Sequence, residues 1–372
     1  MAHISELFDA PVAIMDGGMG TTLETFYSKS ISNTPLWSAN VIMEDPEAVI
    51  NAHLAFLRAG ATVILTATYQ CAFETFERAS YSKDEASRVW KTGVSLASEA
   101  RSQFLKECPE QGPRPKIRVA LSIGPFGATP VPTQEFDGFY PPPYGPQAFP
   151  GEGLDGRNSF LPGEEAKEEE ATHALAEFHL QRLRVYISDP ETWAMIDCLA
   201  FETVPVVREV AAIRRAIRGL QEEHGENAMK PWWICNVFPF GKLPERPSSP
   251  REVIRAALGG TNLPRPSAVG INCCGVEFMG GISAEMAEEI GSIESTGKAP
   301  WLILYPNGGD VYDTILRQWK KGKGRAHWAE ELNQVVQSVR ANKVWGGVIV
   351  GGCCRTGPEE IEHLVGALDY QI

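Results

Sequence analysis

The chain has 372 residues, of which 43% are hydrophobic and 22% charged, an ordinary composition for a globular protein. Its 34 Lys and Arg against 47 Asp and Glu give a formal net charge of −13, which argues against a nucleic-acid partner because phosphate backbones need basic patches. No apolar run approaches the about 18–20 residues that cross a bilayer, and the amino terminus lacks the basic start and apolar block of a secretion signal. We therefore expect a cytoplasmic protein with no membrane partner, whose eight cysteines are free thiols or metal ligands.

Short apolar runs rich in β-branched residues alternate along the chain with segments of helical periodicity. Pro46–Ala59 and Val206–Leu220, for example, carry apolar residues three and four positions apart. Eight runs are predicted strands: Val12–Met15, Thr62–Thr66, Arg118–Ile123, Ile196–Phe201, Trp232–Val237, Ala268–Asn272, Trp301–Tyr305 and Val348–Val350. Eightfold alternation of strand and helix predicts an α/β fold, a (β/α)8 TIM-type barrel, with residues 1–372 in one domain.

Polar and thiol residues follow several predicted strands, at the end where barrels of this type carry their chemistry. We expect them to meet at one rim of the barrel. In chain order they are Asp16-Gly-Gly, Thr68-Tyr-Gln, Gly124-Pro-Phe-Gly, Glu202-Thr, Asn272-Cys-Cys, Tyr305-Pro-Asn-Gly and Cys353-Cys-Arg.

The residues from Val131 to Glu170 interrupt the alternation and predict a long loop after the third strand. They are rich in Pro, Gly and aromatic residues and end in the acidic run Glu164-Glu-Ala-Lys-Glu-Glu-Glu170. Long loops in compact domains are usually functional or disordered. Two interpretations stand: a lid over the barrel mouth, or a solvated surface insertion whose acidic end begins the next helix.

Two cysteine pairs, Cys273-Cys274 and Cys353-Cys354, each stand where a predicted strand ends. Adjacent cysteines do not readily form a disulfide, whereas thiolates from two strand ends can converge on one soft metal ion. A substrate thiol that binds such an ion loses its proton near neutral pH. The alternative is that these cysteines are small buried hydrophobic residues. We prefer that alternative for the other four cysteines, Cys71, Cys108, Cys198 and Cys235.

Two carboxylates, Asp16 and Glu202, also end apolar strands. A carboxylate there needs a partner, which a substrate ammonium, backbone amides or a nearby cationic side chain would provide, and each residue taken alone is equally consistent with a structural role at the rim. The amides of Gly17, Gly18 and Gly20 suit a substrate carboxylate, whereas this glycine run does not follow a nucleotide-binding fingerprint.

Together these motifs resemble those of the homocysteine S-methyltransferase family, and the resemblance covers nearly the whole chain. The matching segments are Asp16-Gly-Gly-Met-Gly-Thr, Thr66-Ala-Thr-Tyr-Gln, Phe201-Glu-Thr-Val-Pro, Gly270-Ile-Asn-Cys and Gly351-Gly-Cys-Cys-Arg-Thr-Gly-Pro. The resemblance implies a Zn²⁺ ion bound by Cys273, Cys353 and Cys354, with Cys274 a neighbour rather than a ligand. It also implies a substrate-binding set around the amino-acid end of homocysteine: Asp16, Gly17, Gly18, Glu202, Thr203 and Asn272.

The implied reaction is zinc-dependent transfer of a methyl group from a sulfonium donor to the thiolate of L-homocysteine, forming methionine. The sequence Cys353-Cys-Arg-Thr resembles that of enzymes that use S-methylmethionine or S-adenosylmethionine more than that of the betaine branch. Tyr69, Phe126 and the loop aromatics are expected either to contact the positive sulfur of the donor or to pack internally. The alternatives are a betaine- or selenocysteine-type methyltransferase, a barrel with a covalent cysteine nucleophile, and a non-catalytic zinc or redox sensor.

Overall fold

The protein is described by a computed structural model that covers residues 2–369 except 32, 33, 35, 109–115, 261, 294–296, 309, 310, 314–317 and 321–326. Eight parallel strands form one sheet: β1 (Val12–Ile14), β2 (Val63–Leu65), β3 (Arg118–Ile123), β4 (Cys198–Val204), β5 (Trp232–Val237), β6 (Ala268–Asn272), β7 (Trp301–Tyr305) and β10 (Val348–Val350). The short strands β8 (Val311–Asp313) and β9 (Gln318–Lys320) pair antiparallel between β7 and β10.

The eight-stranded sheet closes on itself. Its hydrogen-bonded order is β1-β10-β7-β6-β5-β4-β3-β2, and a parallel bridge between Met15 and Val63 joins the two ends. Two backbone bonds complete that seam, from the amide of Asp16 to the carbonyl of Val63 at 2.9 Å and from the amide of Thr62 to the carbonyl of Ile14 at 2.8 Å. The predicted (β/α)8 barrel is therefore confirmed.

Helices connect and surround the strands. α3 begins at Pro46, where Asp45 accepts a hydrogen bond from the amide of Ala48 at 3.0 Å, and its apolar face is buried. The helices are α1 (Met19–Tyr27), α2 (Ser38–Glu44), α3 (Pro46–Arg58), α4 (Phe73–Arg78), α5 (Lys83–Glu107), α6 (Glu165–Ile187), α7 (Pro190–Met195), α8 (Val207–His224), α9 (Pro250–Leu258), α10 (Val276–Ser292), α11 (Trp328–Ala341) and α12 (Pro358–Asp369). Among the described residues, no helix is both long and apolar enough to span a membrane.

The apolar core has two layers, one inside the barrel and one between the strands and the helices. Alternate residues of each strand face the two layers, as the pleat of a strand requires. In β5, for example, Trp233 and Cys235 belong to the inner cluster, and Trp232 and Ile234 to the outer one. Ile4 joins the inner cluster, and Phe8 stacks on Trp301 with ring centroids 5.4 Å apart.

Strand β4 is longer than the sequence predicts. The apolar run ends at Phe201, but the strand continues to Val204, which pairs with Asn236 beyond an irregularity in the register. Thr203 has a φ of 58° at this point, so the chain makes a bulge and then resumes pairing. Glu202 and Thr203 therefore lie within a strand rather than after it.

The long loop after β3 packs on the barrel in part, while residues 152–156 are exposed. The side-chain amide of Asn158 donates to the carbonyls of Asp137 and Pro244, both at 2.7 Å. Asp137 lies in the same loop and Pro244 in the loop after β5, so Asn158 links the two loops. The acidic end forms the first turn of α6, as the surface-insertion interpretation expects. The loop thus combines a helix start with a segment that packs on the barrel.

The four cysteines outside the two pairs follow the packing interpretation with one exception. Cys71, Cys198 and Cys235 are buried in apolar surroundings. Cys108 is only half-buried at the end of α5, where its thiol contacts the carbonyl of Phe104, so its assignment to the core was wrong. The helix ends there, and its last residue lies at the surface.

Candidate active site at the carboxyl ends of the strands

Three cysteine sulfurs converge at the carboxyl ends of β6 and β10. The Sγ atoms of Cys273, Cys353 and Cys354 all lie within 4.8 Å of one another. Within the described part of the chain, no other group of three or more His, Cys, Asp or Glu residues is placed to hold a metal ion. The structure therefore brings together the three thiols that the family resemblance implies as metal ligands.

The loop after β7 joins the two thiol-bearing segments through backbone hydrogen bonds. The amide of Cys353 donates to the carbonyl of Pro306 at 2.8 Å, and the amide of Gly308 donates to the carbonyl of Cys354 at 2.9 Å. On the other side, the amide of Asn307 donates to the carbonyl of Cys274 at 2.9 Å. A Cβ atom at Gly308 would overlap the backbone near Arg355, so only glycine permits this approach.

Cys273 and Cys274 point in different directions. Cys273 has a φ of 50°, a left-handed conformation that is rare for a residue with a side chain, and its sulfur faces the other two thiols. Cys274 is 2% exposed and belongs to the outer apolar cluster, where burial raises the pKa of its thiol. Cys274 is therefore separated from the cluster even though it adjoins Cys273 in sequence.

The electrostatics of the three thiols favour a bound cation. Hydrogen bonding with Cys353 and Cys354, together with burial, raises the pKa of the Cys273 thiol well above its ordinary value. Hydrogen bonds from Cys273 and Cys353 lower the pKa of Cys354, which is the thiol that ionises first. Three neighbouring thiolates repel one another in this half-buried site, so full ionisation requires a positive charge among them.

Asp16 and Glu202 lie close to the thiols and are both buried. Oδ2 of Asp16 accepts a hydrogen bond from the amide of Leu65 at 2.8 Å, and Oδ1 has no hydrogen-bond partner among the described residues. Burial raises the pKa of Asp16 well above its ordinary value, and the nearby charge of Glu202 adds to the effect. Burial raises the pKa of Glu202 to about 8, against a hydrogen bond from the hydroxyl of Ser122. Neither carboxyl forms an ion pair with another described residue, so a cationic ligand would favour their ionised forms.

Asn272 holds the bulge that contains Thr203. The amide of Thr203 donates to Oδ1 of Asn272 at 2.9 Å, and Nδ2 of Asn272 donates to the hydroxyl of Thr203 at 2.7 Å. Asn272 is 1% exposed. Asn272, which the resemblance places in the substrate-binding set, therefore holds Thr203 in position in the structure.

The glycines after β1 allow the β1 loop to pack against the loop that carries Cys353. A Cβ atom at Gly18 would lie 2.5 Å from the carbonyl oxygen of Cys353, and one at Gly17 would lie 2.5 Å from that of Thr356. The amide of Gly18 already donates to the carbonyl of Thr356 at 2.9 Å, and Gly20 lies in α1. The expected cradle for a carboxylate therefore does not include the amide of Gly18, because that amide is used for packing.

A third carboxyl near the thiols, Glu135, was not predicted from the sequence. It comes from the long loop, is 9% exposed, and accepts a 3.4 Å contact from the hydroxyl of Tyr69. Its Oε2 atom has no hydrogen-bond partner among the described residues. Burial raises the pKa of Glu135 to about 7, and the charge of Cys353 contributes. The only sequence signal is one acidic residue within an aromatic and Pro-rich stretch, which is too weak to select it.

A buried network centred on Glu209 of α8 holds the loop that carries Glu135. Oε1 of Glu209 accepts from the amide of Phe126 at 2.7 Å and contacts Nε2 of His179 at 2.9 Å, while Oε2 accepts from the hydroxyl of Tyr140 at 2.6 Å. The ring of Phe126 stacks on Tyr144 with centroids 4.0 Å apart. These rings pack on one another, which favours the packing interpretation for Phe126, Tyr140 and Tyr144, whereas the hydroxyl of Tyr69 contacts Glu135.

Comparisons with known proteins identify the family of the chain. The sequence profile of the homocysteine S-methyltransferase family matches residues 13–368. The homocysteine S-methyltransferase YbgG of Bacillus subtilis is 30% identical over 97% of this chain and 95% of its own, and homocysteine S-methyltransferase 4 of Zea mays is 30% identical over 96% and 89%. The metallated form of the homocysteine methyltransferase MmuM from Escherichia coli superimposes with a TM-score of 0.68 at 24% identity, covering 98% of both chains, and so shares the fold. The chain therefore belongs to the homocysteine S-methyltransferase family of methyltransferase enzymes.

Proposed function

We propose that the protein transfers a methyl group from a sulfonium donor, S-methylmethionine or S-adenosylmethionine, to the sulfur of L-homocysteine, releasing methionine. The observation that carries the proposal is the convergence of three thiols within 4.8 Å beside two buried carboxyls. The similarity to enzymes named homocysteine S-methyltransferase supports homocysteine as the acceptor. A redox or zinc sensor would need the thiols but has no use for Asp16 and Glu202.

The thiol cluster fits a Zn²⁺ ion held by Cys273, Cys353 and Cys354. Catalytic zinc typically takes three protein ligands and keeps one position for water or substrate. The cluster offers three soft donors, and its mutual repulsion calls for a cation. When bound, zinc would supply the Lewis acidity that deprotonates a substrate thiol near neutral pH.

Asp16 and Glu202 would bind the ammonium group of homocysteine. Both carboxyls are buried with raised pKa values, so an adjacent positive charge would favour their ionised forms and lower those values. Thr203, held by Asn272, would fix the position of Glu202 next to it in the strand. These contacts orient the amino acid so that its sulfur lies toward the thiol cluster.

Methyl transfer needs alignment more than acid–base catalysis. The homocysteine thiol loses its proton to solvent, and the thiolate sulfur attacks the methyl carbon of the donor in line. A new carbon–sulfur bond forms as the bond to the sulfonium sulfur breaks, and that sulfur keeps the electron pair and leaves as a neutral thioether. Holding both substrates in this geometry supplies much of the rate enhancement.

The proposal is tested by assaying methionine formation from homocysteine with S-methylmethionine, S-adenosylmethionine and betaine in parallel. We expect turnover with a sulfonium donor and none with betaine. Turnover with betaine alone would place the enzyme in the betaine branch. Zinc-loaded protein that transfers methyl groups from none of the three would favour a sensor.

A further inference from the structure

Glu135 carries a buried carboxyl group that the proposed roles of Asp16, Glu202 and the thiols leave unused. It is 9% exposed, and its Oε2 atom has no hydrogen-bond partner among the described residues. Its Oε1 atom accepts a 3.4 Å contact from the hydroxyl of Tyr69, and hydrogen bonding to Thr133 and to its own backbone offsets part of the effect of burial on its pKa. A buried carboxyl oxygen without a partner is costly, so Oε2 of Glu135 calls for a ligand that satisfies it.

The position of Glu135 is fixed by the fold of the loop. The amide of Gln134, its neighbour, donates to the carbonyl of Gly127 at 2.7 Å, and the amide of Gly138 donates to the carbonyl of Gln134 at 2.8 Å. The hydroxyl of Tyr140 donates to Glu209, and the amide of Gly127 donates to that same hydroxyl at 3.0 Å. The loop is thus tied on both sides of Glu135 to buried groups of the barrel.

Glu135 lies near the thiol cluster but is not one of the metal-binding groups. It interacts electrostatically with Cys353 and Cys354, and its contact Tyr69 interacts with Cys273. Within the described residues, however, the group that could hold a metal consists of the three cysteines alone. Asp16 follows β1 and Glu202 lies in β4, whereas Glu135 approaches the same site from the loop after β3.

We propose that Glu135 determines specificity for the methyl donor by supplying the negative charge that faces the donor's cationic sulfonium centre, with the ring of Tyr69 beside it. This inference rests on the proposed function. A sulfonium sulfur has no hydrogen to donate, so it is recognised by a negative charge and by an aromatic face rather than by hydrogen bonds. Methyl transfer converts that cation into a neutral thioether, which removes the attraction and helps the product leave.

The proposal predicts that Glu135→Gln changes the donor KM and kcat to different extents. Glu135 would contact the cationic ground state, whose charge becomes dispersed as the methyl group moves. Its loss therefore raises the KM for the donor more than it lowers kcat. We expect the donor KM to rise about tenfold or more, which corresponds to about 1.4 kcal/mol of binding free energy. The homocysteine KM and the zinc content should change less than twofold.

Glu152→Gln is the matched control, since Glu152 is an exposed carboxylate of the same loop, and it should behave as the wild type. The same variants are titrated by calorimetry with S-methylmethionine and with neutral methionine. We expect the wild type to prefer the cation and Glu135→Gln to lose most of that preference.

Two results would overturn the assignment of Glu135. One is an unchanged donor KM and cation preference in a Glu135→Gln protein that retains its zinc. The other is an equal rise in both KM values with loss of zinc, which would give Glu135 a role in the metal site or the fold. Absence of turnover in the wild type would instead contradict the proposed function, and the calorimetric preference would still decide the role of Glu135.

Discussion

Asn272 and Thr203, 69 positions apart in sequence, are joined by two hydrogen bonds that hold Thr203 in a left-handed conformation beside Glu202. The amide of Thr203 donates to Oδ1 of Asn272 at 2.9 Å, and Nδ2 of Asn272 donates back to the threonine hydroxyl at 2.7 Å. A φ of 58° is unfavourable for a β-branched residue, so the surrounding contacts must maintain it. Asn272 thereby sets the geometry of the predicted homocysteine pocket from a neighbouring part of the barrel.

Asn272→Ala should weaken both folding and homocysteine binding. It leaves the buried amide of Thr203 unpaired, at a cost of about 1–3 kcal/mol in the free energy of unfolding. Relaxation of the bulge would move Glu202, so we expect the KM for homocysteine to rise more than the KM for the donor. Denaturant unfolding and initial-rate kinetics measure both effects. Asn262→Ala, at an exposed position, is the control. An unaltered homocysteine KM in Asn272→Ala would show that the contact between Asn272 and Thr203 does not affect substrate binding.

Cys273→Ser and Cys274→Ala should differ although the residues are adjacent. Cys273 points to the thiol cluster, so its replacement should remove most of the bound zinc and reduce turnover at least a hundredfold. Cys274 packs in the outer core, so Cys274→Ala should keep its zinc and lose about 1 kcal/mol of stability. The bound zinc per chain and the rate of methionine formation are measured for both variants and for the wild type. Equal zinc loss in both variants would contradict the ligand assignment.

Glu202→Gln should act on homocysteine rather than on the methyl donor. The change keeps the shape of the side chain and the contact with Ser122 but removes the charge that would face the substrate ammonium. We expect the KM for homocysteine to rise about tenfold or more with the donor KM little altered. Circular dichroism and zinc analysis verify that the barrel is intact. Kinetics identical to those of the wild type would remove Glu202 from the substrate contacts.

Tyr140→Phe should loosen the loop that carries Glu135. Removing the hydroxyl leaves Oε2 of Glu209 and the amide of Gly127 without this partner, at a cost of about 1–3 kcal/mol. The donor KM should rise, because Glu135 lies on the loosened segment. Tyr81→Phe, at a half-buried position outside this network, serves as the control. A stable Tyr140→Phe protein with normal kinetics would show that the network does not position the loop.

The stability of the metal-free protein should fall as the pH drops below about 6.5, in part because of His53. His53 is fully buried in α3, both ring nitrogens lack a hydrogen-bond partner among the described residues, and burial lowers its pKa to about 3. Between these pH values the unfolded chain binds a proton that the folded chain does not, so protonation favours unfolding. At pH 5 this difference in proton binding lowers the free energy of unfolding by about 2 kcal/mol.

Denaturant midpoints of the metal-free wild type and of His53→Leu, each measured at pH 7 and pH 5, test this expectation. His53→Leu should lose part of the acid sensitivity, whereas a change at the exposed His173 should leave it intact. The same pH dependence in His53→Leu as in the wild type would assign the effect to other groups.

The sequence alone predicts the barrel well because each strand is a local apolar run. Five predicted runs, such as Ala268–Asn272, coincide with the observed strands, and the others differ at their ends. The extension of β4 to Val204 was missed, because it depends on a bulge that Asn272 stabilises from another strand. Contacts between distant segments leave no trace in local periodicity.

Some residues of the candidate site can likewise be predicted from the sequence and others cannot. The two cysteine pairs could be placed at one rim because both follow strands of a closed barrel, and the family resemblance then implied Cys273, Cys353 and Cys354 as the ligands. Glu135 could not be selected, because its approach to the site depends on how an irregular loop folds onto Tyr69. The occupied amide of Gly18 was equally hidden, since its partner Thr356 lies 338 positions away.

Removal and restoration of the metal tests the central claim most directly. The purified protein is stripped with a chelator, reloaded with graded amounts of Zn²⁺, and assayed for methionine formation from homocysteine and S-methylmethionine or S-adenosylmethionine. We predict that activity disappears with the metal and returns in proportion to bound zinc, reaching its maximum at one ion per chain. Full activity in metal-free protein would contradict the role assigned to the three cysteines.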